Sequence, residues 1–134
     1  MTNARLLMRR EFTPDHAQLE FGEIDGEYPQ WEFGAEPLVA NEHKIVVATL
    51  PELEGDAVIE VWAGADQQVP QDAGVLIHDG FIRLSSDDAE VGTYLGGRLE
   101  RVRVGHGRHR VRVFVDEPGY ATRIVYIVTP AESS

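Results

Sequence analysis

Residues 98–115 alternate in a way that suits an extended chain. The stretch reads Arg98-Leu-Glu-Arg-Val-Arg-Val-Gly-His-Gly-Arg-His-Arg-Val-Arg-Val-Phe-Val115. Side chains point to opposite faces of a strand at every step. Valine on one parity and arginine on the other therefore makes one apolar face and one charged face. Gly105-His106-Gly107 separates the two runs, and the pair reads as a β-hairpin. With Val102 set opposite Val111, Arg103 faces Arg110, Arg101 faces Arg112, and Leu99 falls opposite Phe114. Like charges directly opposite each other cost roughly 0.2–1 kcal/mol per pair. Two readings of this face follow. Carboxylates of the same chain, Glu60 and Asp116 on outward parities, interleave as a structural ion-pair ladder. Alternatively Arg101, Arg103, Arg110 and Arg112, with Phe114 as an apolar anchor, form a platform for a partner, because arginine forks and aromatic anchors are the chemistry of interface hot spots.

The rest of the chain is also written in short strands. Arg5 to Phe12, Gln18 to Ile24, the β-branched run His43 to Leu50, and Ala57 to Trp62 all read as extended. Val75 to His78 and Phe81 to Leu84 flank Asp79-Gly80, the residue pair of a tight type I′ hairpin turn. Val91 to Leu95 is a further short strand. Thr122 to Val128 is apolar on both parities, which predicts a central strand. Asp25-Gly26, Pro51 to Asp56 and Asp116 to Gly119 are turns by composition. Residues 27–41 carry Pro29 and Pro37 and read as a long irregular connection. Its Tyr28, Trp31 and Phe33 either plug one end of the sandwich or offer an aromatic lid over a ligand. No window offers a convincing amphipathic helix. The prediction is an all-β fold, an antiparallel β-sandwich of about seven to nine strands, in one domain over 1–134 with a frayed tail at 131–134.

Charge narrows the partner. The formal net charge is −11, and thirteen of the twenty-three acidic residues lie between Glu11 and Glu60. Phosphate attraction needs a positive surface, so nucleic acid is not the expected partner. An acidic field serves solubility, or steers the molecule toward a basic cleft on another protein. No apolar run reaches the ~20 residues of a membrane span, and the N-terminus lacks a secretory apolar segment. The chain reads as soluble and cytoplasmic. Cysteine is absent, which removes disulfides and thiolate metal sites. The single lysine, Lys44, among eleven arginines reads as codon bias.

Catalytic signatures are missing. His106-x-x-His109 is the only close histidine pair, and a hairpin flanked by arginines does not suit a cation. His78-Asp79 sits where a turn already accounts for the aspartate. His43 beside Glu42 reads as surface. Ser85, Ser86, Ser133 and Ser134 lie in no nucleophile elbow, and Asp87-Asp88-x-Glu90 is half a calcium loop. The expected catalytic, cofactor and metal sites are none.

Three stretches near the C-terminus are similar to the competence protein J family. They are Gly107-Arg-His-Arg-Val-Arg-Val113, the acidic turn Asp116-Glu-Pro-Gly119, and the closing strand Thr122-Arg-Ile-Val-Tyr-Ile-Val-Thr-Pro130. Asp79-Gly-Phe-Ile-Arg-Leu-Ser85 occupies the place of a further family strand. His109 stands where the family has tyrosine. The resemblance covers about the last sixty residues. It implies a small bacterial β-sandwich, in a family whose named member inhibits a DNA-entry nuclease. The leading expectation is therefore a non-enzymatic protein-binding domain, of nuclease-inhibitor or immunity type, with a basic protein partner. Two alternatives stand beside it: a self-assembling structural module forming homo-oligomers, and a small-ligand or carbohydrate-binding sandwich using Tyr28, Trp31 and Phe33.

Overall fold

The computed structural model describes residues 4–32, 34–64, 69–93 and 98–131. Among them are ten strands: β1 Arg5–Phe12, β2 Gln18–Gly22, β3 Leu38–Ala40, β4 Lys44–Ala48, β5 Ala57–Ala63, β6 Val75–Leu84, β7 Asp88–Thr93, β8 Arg98–Arg103, β9 Gly107–Val115 and β10 Arg123–Pro130. A single 3-10 turn, Glu52–Glu54, lies between β4 and β5. The strands form two five-stranded sheets, in the orders β1-β5-β10-β9-β6 and β3-β4-β2-β7-β8. Pairing is antiparallel except between β5 and β10, which run parallel. The fold is the expected all-β sandwich. Its tenth strand, β3, lies inside the connection read as irregular. No helix among the described residues is long and apolar enough to cross a membrane.

The sheets pack through alternate residues. Ile59 and Val61 of β5, Ile124 and Tyr126 of β10, and Val111 and Val113 of β9 meet Phe21 of β2, Ile45 and Val47 of β4, and Val91 of β7 in one core. Phe21 and Tyr126 stack across it with ring centroids 4.7 Å apart. Each fully buried side chain of this size contributes about 1.5–3 kcal/mol. β10 is central, as its two-sided apolar run predicts. Its outward residues Val125 and Ile127 join Ala73, Phe114 and Trp62 in a second, smaller cluster on the outside of the first sheet.

The arginine-rich runs do not pair with each other. β8 lies in the second sheet against β7, whereas β9 lies in the first between β10 and β6. Val102 and Val111 both reach the core, but from opposite sheets. Residues 104–106 cross between the sheets and are fastened to Asp87. The Val104 and Gly105 amides donate to its carbonyl at 3.0 and 2.9 Å. The His106 amide donates to its carboxylate at 3.1 Å, and the His106 ring lies 2.7 Å from the same oxygen. Gly105 and Gly107 make the crossing with φ of +93° and +107°, a region costly for residues with a Cβ.

This arrangement removes the opposed arginines. Arg103 faces Asp88 and Arg101 faces Glu90. Arg112 faces Asp79. The interleaved acids of the ladder are thus not Glu60 and Asp116. One like pair remains, Arg83 opposite Arg108, and Arg108 lies 3.9 Å over the Phe81 ring.

Asp79-Gly80 is likewise no turn. It lies in the middle of β6, a ten-residue strand paired with β9 along its length. A type I′ turn needs positive φ at both positions, and neither residue has it. Asp79 is held instead by the guanidinium of Arg110, which donates through Nε at 2.8 Å and Nη2 at 2.7 Å. Pairing along β9 and this fork outweigh the local turn preference.

Candidate protein-binding surface

Strand register sorts the loops to two ends of the sandwich. The β1–β2, β4–β5 and β9–β10 connections share one end and are tied together there. The Thr49 amide donates to the Ala17 carbonyl at 2.8 Å, and the Leu50 amide to the Ala121 carbonyl at 3.2 Å. Thr13 Oγ1 donates to Asp56 Oδ1 at 2.7 Å, and the Tyr120 hydroxyl donates to Glu54.

This end is rich in exposed acids. Residues 11–56 contain twelve carboxylates, one lysine and no arginine, although Glu20 is buried and Glu23 and Glu42 lie at the opposite end of β2 and β4. That lysine, Lys44, is only 2% exposed. Glu11, Glu52, Glu54, Asp56, Asp116 and Glu117 are all exposed. Leu53, between Glu52 and Glu54 at the tip of the 3-10 turn, is 96% exposed. A leucine so placed gains nothing from the fold, and it sits where an apolar anchor ringed by charge would meet a partner.

The arginines proposed as a platform are divided. Arg101 and Arg103 are exposed on β8, an edge strand of the second sheet. Arg110, Arg112 and Phe114 project from the outside of the first sheet, where Arg112 is 6% and Phe114 8% exposed. Phe114 is spent on the cluster with Val125 and Trp62. Glu60, on the same face, belongs to another network. Arg123 donates to it through Nε at 2.8 Å and Nη2 at 3.2 Å, and Trp62 Nε1 donates at 2.9 Å.

Three carboxylates on or beside the first sheet set an acid limit. Burial alone would raise Glu60, but hydrogen bonds from Arg123 and Trp62 and the charges of Arg123 and Arg9 hold it below the usual range. The Arg110 fork lowers Asp79 against a smaller effect of burial. Burial also opposes ionisation of Asp116, and donors from Thr122, Arg123 and Glu117 reverse it. Each binds its proton less readily folded than unfolded. Their contribution is complete above the ordinary carboxylate range and falls away as the pH drops through about 4 and below. A melting-temperature series is expected to decline in that window, and less steeply in Glu60→Gln and Asp79→Asn. A flat profile from about pH 5 to pH 2 would contradict it.

The aromatic connection covers the outside of the second sheet, not an end of the core. Tyr28 donates its hydroxyl to Glu20 at 2.9 and 3.0 Å from the two oxygens. Lys44 Nζ donates to Glu20 Oε2 at 3.0 Å and sits 4.6 Å above the Tyr28 ring. Trp31 lies further along, over a cavity of about 320 Å³. Phe33 lies outside the described residues.

The histidines are structural in placement. His109 Nε2 lies 2.7 Å from the Gly105 carbonyl, and the side chain is buried. His43 bridges Glu23 and Glu42 at 3.1 and 3.3 Å. His78 is held below its usual pKa by burial, partly countered by Asp79. No group of three or more acids and histidines suited to a metal occurs among the described residues.

Two solved structures share this architecture along nearly the whole chain. ComJ from Bacillus subtilis, described as the inhibitor of the DNA degrading activity of NucA, superposes with a TM-score of 0.68 at 10% identity, over 97% of this chain and 100% of that one. The chain has a ComJ-like fold. A protein described as crocagin biosynthetic gene J superposes with a TM-score of 0.63 at 11% identity, over 98% of this chain and 100% of its own. No family model matches the sequence, and no curated protein matches it significantly. The likeness lies in backbone path. It extends through β1–β5, where the sequence resemblance gives no signal.

Sequence reasoning missed Leu53 and the buried Glu20–Lys44 pair. A signal existed for the first, since Pro51-Glu-Leu-Glu-Gly-Asp56 offers Leu53 no apolar neighbour to pack with. The solitary lysine was the signal for the second.

Proposed function

We propose that this protein is a non-enzymatic inhibitor that binds a basic nuclease through its acidic loop end. The observation that carries the reading is the set of exposed acids Glu11, Glu52, Glu54, Asp56, Asp116 and Glu117 at the end where Leu53 is 96% exposed. A nuclease cleft is cationic because it binds phosphates. Carboxylates in the same cleft exploit the same field, and complementary charge raises the association rate. The ComJ-like fold supports the reading, since ComJ is described as a nuclease inhibitor.

The test is protection of plasmid DNA from the nuclease activity of native-host extract. Stoichiometric inhibition is expected, weakening as salt rises from ~0.05 to ~0.3 M because the approach is electrostatic. Unaltered degradation at a large molar excess of this protein would overturn the proposal.

A further inference from the structure

We infer that the cavity beneath Trp31 is a binding site for a small, uncharged, planar aromatic molecule carrying a hydrogen-bond donor on one edge. Its volume of about 320 Å³ falls in the range of small-molecule sites. It lies between the connection from β2 to β3 and the outer face of the second sheet. Tyr28, Pro29 and Trp31 form one side, and Glu20, Val46 and Thr93 lie on the other.

The chemistry of the walls selects the ligand. Tyr28, Pro29 and Trp31 present flat apolar faces, and flat rings pack on such faces with the largest contact area. Had the connection served only to cover Val46, Trp31 would close down upon it. The space left instead deprives the lining atoms of dispersion partners.

The polar floor fixes the edge of the ring. Glu20 is 5% exposed and takes two donors, the Tyr28 hydroxyl, shared between its two oxygens, and Lys44 Nζ. A carboxylate has about four acceptor positions, so a ligand N–H or O–H has a place. Lys44 already balances the Glu20 charge, so a net charge on the ligand would be desolvated without compensation. A sugar carries hydroxyls around its whole rim, and the apolar walls would leave many of them unpaired. The site is separate from the proposed nuclease contact, since Leu53 does not line it; neither reading depends on the other.

The test is ligand-observed NMR with indole, 4-methylphenol, toluene and glucose. Indole and 4-methylphenol are expected to bind saturably with Kd of ~0.1–1 mM, the range ligand efficiency sets for eight or nine heavy atoms. Toluene, lacking the donor, is expected to bind about ten-fold more weakly, and glucose not at all. Val46→Trp fills the cavity and is expected to abolish binding while leaving the circular dichroism spectrum unchanged. Should that variant not fold, amide shifts of Glu20, Thr93 and Trp31 in the wild-type protein give the location directly. The inference is overturned if no aromatic binds at ~5 mM, a level several-fold above the expected Kd. Toluene binding as tightly as 4-methylphenol, glucose binding, undiminished binding by folded Val46→Trp, or shifts elsewhere would also overturn it.

Discussion

Glu20→Ala is expected to destabilise the fold by about 3–5 kcal/mol, the usual cost of leaving one partner of a buried ion pair alone. Lys44 is 2% exposed and Glu20 5%, so the substitution leaves an ammonium in a largely desolvated position without its carboxylate. Lys44→Ala is expected to cost a similar amount for the complementary reason. Replacing both by apolar residues of similar volume, as in Glu20→Leu with Lys44→Met, removes the desolvation penalty along with the attraction. That double variant is expected within ~1 kcal/mol of the wild type, or above it. The Tyr28 hydroxyl, on a side chain 36% exposed, can turn to solvent in its place. Urea denaturation checks all three. Single variants within about 1 kcal/mol of wild type would mean that water reaches Lys44 in the folded state, since only a solvated ion pair is worth so little.

The alternation of Arg101–Val104 and Arg110–Val113 made their inward and outward faces legible, and the structure keeps that assignment for the valines. It did not disclose their partners. Two strands side by side and two strands facing each other across a core produce the same alternation. What decides between them lies elsewhere in the chain: Asp88 and Glu90 opposite Arg103 and Arg101, Asp79 opposite Arg112, and Asp87 holding the crossing. A register that opposes arginine to arginine twice itself argues against a hairpin, and β8 and β9 lie in different sheets. Asp79-Gly80 misled for a related reason, because turn chemistry is local and the fork from Arg110 comes from thirty-one residues away. Composition alone makes Lys44 look like codon usage, yet it begins a buried β-branched strand. Its burial requires Glu20, and no spacing rule links residues that meet only through β2–β4 pairing. The acidic field was readable from composition, whereas which of its acids lie at the same end as Leu53 needed the register of three loops.

Reversing charge at the tip of the acidic end is expected to remove nuclease inhibition without unfolding the protein. Leu53→Lys withdraws an apolar side chain whose burial in a partner is worth about 1.5–3 kcal/mol, or roughly ten- to more than a hundred-fold in Kd. Glu52→Lys adds repulsion in a cationic cleft, so the double variant is expected to lose at least about a thousand-fold. Glu54 and Asp56 are poor choices for this test, because they bind Tyr120 and Thr13 and hold the loops together. Leu53 is 96% exposed and Glu52 is exposed, so stability should move by less than ~0.5 kcal/mol. Arg101→Gln with Arg103→Gln is the matching control on the opposite charge. These two arginines face Glu90 and Asp88 from the edge of the second sheet, and their loss is expected to leave inhibition intact. Isothermal titration against the nuclease, with plasmid protection in parallel, distinguishes the surfaces. Inhibition lost in the arginine variant and kept in the Leu53→Lys, Glu52→Lys variant would move the partner from the acidic end to β8.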